Sequence, residues 1–171
     1  MALRIAVFCA LVSLASAAPT SCKTTPGLCQ GTCLIDPTIS KGSNLDLGVK
    51  GTCSEAVSAP TYSLSLKFNG LPILSKKGQD ACKDNKFDLP LGMGSVSIPA
   101  VKCPVAAGDA LVIPAVASVA KSAPNGKLVA TLAAEDKSGK SLFSIEYDVS
   151  LGSSGTSSRG LLRGSRSLEL Y

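Results

Sequence analysis

Between Asn44 and Leu151 apolar and polar residues alternate with a period of two over most of the chain. Leu45, Leu47 and Val49 alternate with Asn44, Asp46, Gly48 and Lys50. Tyr62, Leu64, Leu66 and Phe68 alternate with Ser63, Ser65 and Lys67. Phe143, Ile145, Tyr147, Val149 and Leu151 alternate with Ser144, Glu146, Asp148 and Ser150. Such runs predict strands with one face on a core and one in water. Phe87, Leu89, Leu91 and Met93 share one parity and Val96 and Ile98 the other, so a bend is expected at Gly92 or Gly94. Ala110 to Ala120 is apolar on both parities, which predicts either a fully buried strand or one that lines a cavity. Residues 19 to 33, rich in Cys, Thr, Gly and Pro, predict an irregular stapled segment.

Turn chemistry separates these runs at Asn69-Gly70, Pro124-Asn125-Gly126 and Asp136-Lys137-Ser138-Gly139. The last predicts the tip of a hairpin that joins Lys127–Ala134 to Lys140–Leu151. No window gives a long amphipathic helix. The chain is therefore expected to be all-β, a sandwich of two antiparallel sheets with roughly seven strands.

The ends have another character. Arg4, the apolar run Ile5 to Leu14 and Ala15-Ser16-Ala17 form a signal peptide over residues 1–17, too short to span a bilayer. It directs the chain to the secretory route, to the outside or to an endolysosomal or vacuolar lumen. The folded domain is expected over residues 18–151. Residues 152–171, rich in Gly and Ser and carrying Arg159, Arg163 and Arg166, read as a disordered tail. Removing the signal takes away Cys9 and leaves Cys22, Cys29, Cys33, Cys53, Cys82 and Cys103. An even set in a secreted chain implies three disulfides, with 15 possible connectivities.

Composition then removes most chemistry. There is no His and no Trp, so Ser-His-Asp and Cys-His nucleophiles and imidazole zinc sites are excluded. The mild positive charge does not suggest nucleic acid. Ala134 to Ser141 nearly spells a phosphate-binding loop, but Ala134 replaces its first Gly and the context is a hairpin. Asp80, Asp84, Asn85 and Asp88 lack the spacing of a calcium loop and have Lys83 and Lys86 between them. Glu146 and Asp148 share a strand face, opposite Ile145 and Tyr147, where lysines of neighbouring strands are the expected partners. The chain is expected to be no enzyme, with no cofactor and no metal. Few bulky aromatics remain to fill the space between the two sheets.

From Cys103-Pro104-Val105-Ala106-Ala107-Gly108-Asp109 the sequence resembles the ML lipid-recognition family. Lys41 to Thr52, Leu71-Pro72-Ile73-Leu74, Asp80-Ala81-Cys82-Lys83 and the hairpin from Gly126 to Leu151 resemble it in order and spacing. The resemblance covers roughly Cys29 to Leu151. It implies an immunoglobulin-like sandwich whose sheets hold a sterol or a phospholipid acyl chain, in a monomer that meets membrane surfaces transiently. It also implies the pairs Cys82–Cys103 and Cys29–Cys33, which leaves Cys22 with Cys53. Ser144 stands where the family has a cysteine that pairs with the N-terminal segment, so that clasp is expected to be absent. The stretch from Lys86 to Val101 lengthens the Cys82–Cys103 loop.

Strand parity and position near the Cys-Pro element single out candidate lipid-contacting walls. They are Leu64, Leu66, Phe68, Ile73, Val96, Ile98, Val105, Ile113, Leu132, Phe143, Ile145 and Tyr147. Charged replacements of Ile113 or Phe143 are expected to abolish uptake. The rival reading is a secreted, disulfide-stapled interaction module, an effector or inhibitor with a solid core. An apolar void separates the two.

Overall fold

A computed structural model describes residues 21–35 and 41–152, so the expected signal peptide and residues 153–171 of the expected tail lie outside the described residues. The alternating runs become strands that pair antiparallel throughout. In chain order they are β1 (Ser21–Pro26), β2 (Cys29–Ile35), β3 (Asn44–Cys53), β4 (Thr61–Phe68) and β5 (Leu71–Asp80). There follow β6 (Asn85–Leu89), β7 (Gly94–Ile98), β8 (Ala110–Val119), β9 (Gly126–Glu135) and β10 (Ser141–Leu151). One sheet has the order β1-β10-β9-β4-β5 and the other β2-β3-β8-β7-β6. The described residues thus form ten strands where about seven were expected.

Two of the extra strands replace the irregular segment expected over residues 19–33. β1 shows no apolar alternation because nearly all of it is exposed at a sheet edge. Its strand form comes from main-chain pairing with β10, Cys22 opposite Tyr147 and Thr25 opposite Ser144. The first and last described strands are therefore joined by hydrogen bonds where Ser144 precludes a disulfide.

The local chemistry explains the reversals. Asn69 (φ 49°) and Gly70 (φ 83°) both occupy the left-handed region, as a two-residue hairpin turn between twisted strands requires. The bend expected at Gly92 or Gly94 is a full reversal, in which Pro90–Gly92 forms a single 3-10 turn between β6 and β7. A Cβ on Gly94 would lie 1.8 Å from the Ser118 carbonyl oxygen, so only glycine lets β7 close on β8 there. At the β9–β10 tip, Asp136 Oδ1 accepts from the amides of Ser138 (2.7 Å) and Lys140 (2.9 Å). The amides that a phosphate loop would offer to its ligand are already taken by an internal carboxylate.

The disulfides correct two expected pairings. Cys82–Cys103 forms as the resemblance implied, but Cys22 joins Cys33 and Cys29 joins Cys53. Register is the reason. Cys29 lies directly opposite Cys53 in the β2–β3 ladder, and a strand between Cys29 and Cys33 keeps these two apart. Cys22 on β1 and Cys33 on β2 belong to different sheets, so their bond staples the sandwich along one side.

Candidate functional site

Along the inner face of the first sheet, residues fall into cross-strand rows. From one end these are Val149/Leu128/Phe68, then Tyr147/Ala130/Leu66, then Ile145/Leu132/Leu64, then Phe143/Ala134/Tyr62. The facing sheet adds Val119, then Ala117 with Val96, then Leu47 with Ala115, then Val49 with Ile113. Burial of these side chains drives sheet packing, at about 1.5–3 kcal/mol for each large aliphatic or Phe side chain. The two halves of the sandwich differ in how well they fill.

In the half that ends at the Asn69-Gly70 turn and the Pro90–Gly92 turn, an apolar cavity of about 40 Å³ remains between the sheets. Leu64, Leu66, Phe68, Ile73, Val96, Leu132 and Tyr147 line it, all of them among the expected walls. The other expected walls, Ile98, Val105, Ile113, Phe143 and Ile145, are buried but do not line it. Most of them belong to the filled half, and Ile145 stands at its boundary beside Leu132. A charge at Ile113 or Phe143 would therefore disturb folding rather than probe the cavity.

Parity reasoning missed other wall residues. Leu47, Leu128 and Leu151 lie on strands already recognised, on the same inner face. Leu89 and Met93 come from the β6–β7 turn region, whose reversal was read only as a bend. Ala115, Ala117 and Val119 come from the segment that is apolar on both parities, and Ala130 from β9. Val112 of that segment is 36% exposed, so β8 is a cavity-lining strand rather than a fully buried one. The small side chains Ala115, Ala117 and Ala130 leave the space. Their signal in the sequence is alanine where neighbouring inward positions carry Leu or Val.

Among the lining residues Tyr147 alone has a polar side-chain atom. Its ring crosses from β10 to β3, where its hydroxyl accepts from the Gly48 amide at 3.1 Å and donates to the Gly48 carbonyl. Gly48 pairs with Leu34 of β2, and the same hydroxyl stands 3.5 Å from the Leu34 carbonyl, so it sits between β2 and β3. The Tyr147 hydroxyl thus satisfies main-chain groups where β2 and β3 meet. Burial holds its pKa above the ordinary phenol value.

The two sides of the sandwich are fastened differently. The Cys22–Cys33 bond joins the β1 and β2 edges. Across the β5 and β6 edges, Lys76 Nζ stands 5.8 Å from the centre of the Phe87 ring, a contact worth about 0.5–1 kcal/mol at an exposed site. Cys82–Cys103 ties the loops beyond β5 and β7 at the filled end. No group of three or more metal-binding side chains occurs among the described residues, and Asp80 and Asp84 are engaged by the amides of Cys82 (2.9 Å) and Ala100 (2.7 Å). Asp148 takes Lys127 of β9 at 2.6 Å, the neighbouring-strand lysine expected for it.

Beside this disulfide-stapled sandwich with an apolar space at one end, the sequence matches the family model of the ML domain over residues 19–151. The chain belongs to the ML domain family. That is a lipid-binding family, as the sequence resemblance implied. Among solved structures the ML chain is similar to a Niemann-Pick type C2 protein from the Japanese carpenter ant. The two share 17% identity and a TM-score of 0.50, over 76% of this chain and 96% of that one. A looser likeness, at 9% identity and a TM-score of 0.41, is to a family 123 glycoside hydrolase from Clostridium perfringens; it covers 78% of this chain and 27% of that one. No curated protein matches the ML chain by sequence. Among the described residues no helix is long and apolar enough to cross a membrane.

Proposed function

We propose that this ML domain is a secreted or endolysosomal lipid carrier, which holds a sterol or one phospholipid acyl chain between its sheets. The observation that carries this reading is the cavity, whose walls are apolar except for a tyrosine hydroxyl already in use. Such a space offers a ligand only the hydrophobic effect, about 25 cal/mol for each Å² withdrawn from water.

Its volume of about 40 Å³ sets the mechanism. Pockets for molecules of lipid size run to several hundred Å³, so the sheets part as the ligand enters. The fastenings favour opening at the β5 and β6 edges, about a hinge along the Cys22–Cys33 side. Leu71, at the start of β5, is 70% exposed, and Leu91, at the tip between β6 and β7, is 89% exposed. Leu71 is two residues from Ile73, and Leu91 two from Leu89 and from Met93, all three cavity walls, and both lie at the cavity end of the sandwich. Together with Lys41 and Lys121 in the loops of that end, they form an apolar and basic rim that touches an anionic membrane surface while lipid is exchanged. The protein works as a monomer, without catalysis.

Native mass spectrometry of the secreted protein, with extraction of bound lipid and uptake of fluorescent sterol and phospholipid, tests the reading. A bound lipid at one per chain is expected. Ala130→Phe and Ala117→Leu, which fill the space at about 1–3 kcal/mol of overpacking, are expected to remain folded and to lose uptake. A protein that co-purifies with no lipid and takes up neither probe is a solid-core interaction module instead.

A further inference from the structure

The inward row of β4 runs Tyr62, Leu64, Leu66, Phe68. The last three line the cavity, and Tyr62 stands one row deeper. Tyr62 is 1% exposed. Its hydroxyl oxygen is buried and finds no hydrogen-bond partner in the protein, the one such side-chain atom among the described residues. A buried hydroxyl without a partner is destabilising, and native proteins leave few of them. Burial also pushes its pKa up to about 12, so near neutral pH it is an uncharged group that both donates and accepts. Tyr147 is the contrasting case, its hydroxyl being engaged by Gly48.

A ligand that enlarges the cavity toward the filled end meets the row Tyr62/Ala134/Phe143 first. There Ala134 is the small member, and Tyr62 carries the only polar side-chain atom. We propose that the Tyr62 hydroxyl is the deep anchor of the bound lipid, and that the preferred ligand carries one hydrogen-bonding oxygen at the end that enters first. This rests on the lipid-carrier reading and specifies the class of lipid. A sterol that enters by its ring hydroxyl and an acyl chain hydroxylated at its far end share that chemistry.

The test uses the delipidated secreted protein and two pairs of ligands, cholesterol against cholestene and palmitic acid against its ω-hydroxy derivative. Each competes with a bound fluorescent fatty acid. The wild type is expected to hold the hydroxylated member of at least one pair roughly tenfold more tightly, and the pair that discriminates identifies the source. Tyr62→Phe is expected to lose that preference, to bind the hydroxyl-free member unchanged and to melt no lower than the wild type. A preference that survives in Tyr62→Phe, or no preference in either pair, overturns the proposal while the carrier reading stands. If the wild type binds none of the four lipids, the carrier reading fails and takes the anchor with it.

Discussion

Tyr62 and Tyr147 are both inward-facing phenols on neighbouring parts of one sheet, yet the chemistry at their oxygens is opposite. Tyr147 engages the main chain of β3 at Gly48, so removing its hydroxyl strands the Gly48 amide and carbonyl. Tyr147→Phe is expected to lower stability by about 1–3 kcal/mol, the cost of unpaired buried groups, as read from chemical unfolding. Tyr62→Phe removes an unpartnered hydroxyl and is expected to be neutral or stabilising in the lipid-free protein. The alternation of period two showed that both rings face inward. It carried no sign of which oxygen would find a partner, because Gly48 lies on another strand, 99 residues away. The alanines of the cavity show the same limit. Each is an unremarkable inward residue by itself, and space appears only because Ala115 and Ala117 of one sheet face Ala130 of the other.

At the scale of elements, strands with one wet face were legible because each carries its own evidence in every second residue. β3, β4 and β10 show this most clearly, and the β9–β10 hairpin also carried its turn chemistry. β1 was not legible, because an exposed polar edge strand owes its form to the partner and not to its own pattern. The cysteine pairing failed for a related reason. Cys29 and Cys33 are close in sequence, but a strand holds them apart and sets Cys29 beside Cys53. Peptide mapping without reduction is expected to show the Cys22–Cys33 and Cys29–Cys53 links. If Cys22–Cys33 is the hinge staple, replacing both with serine is expected to lower stability by about 2–4 kcal/mol. It should also speed lipid exchange, since both sides of the sandwich can then part. Stopped-flow transfer between vesicles measures this, and an unchanged rate would remove the hinge from the mechanism. On the same assay Leu91→Asp is expected to slow transfer without lowering the amount of lipid held at equilibrium.

At the scale of the molecule, the absence of histidine has a physical consequence beyond removing histidine-dependent chemistry. Among the described residues the carboxyls of Asp80 and Asp136 lie below the ordinary value of 3.8, held there first by the Cys82 amide and by the Ser138 hydroxyl respectively. A depressed folded-state pKa contributes stability above the unfolded value, which is lost as pH falls through the folded one. Tyr62 is displaced upward from 10.0 to about 12, so the folded state loses stability as pH rises above 10. Melting temperature is therefore expected to be nearly flat from roughly pH 5 to 9 and to fall outside that range. A steep change between pH 5 and 7 would require a titrating group that this chain lacks. The sequence by itself determined the all-β class, the inward and outward faces, the hairpin turns and the family, because alternation, turn residues and motif order are local properties of the chain. Tertiary structure alone decided the register that pairs the cysteines, which half of the sandwich stays underfilled, and which buried hydroxyl is left without a partner. Those three depend on which residues of distant strands come face to face, and that is settled only when the two sheets pack.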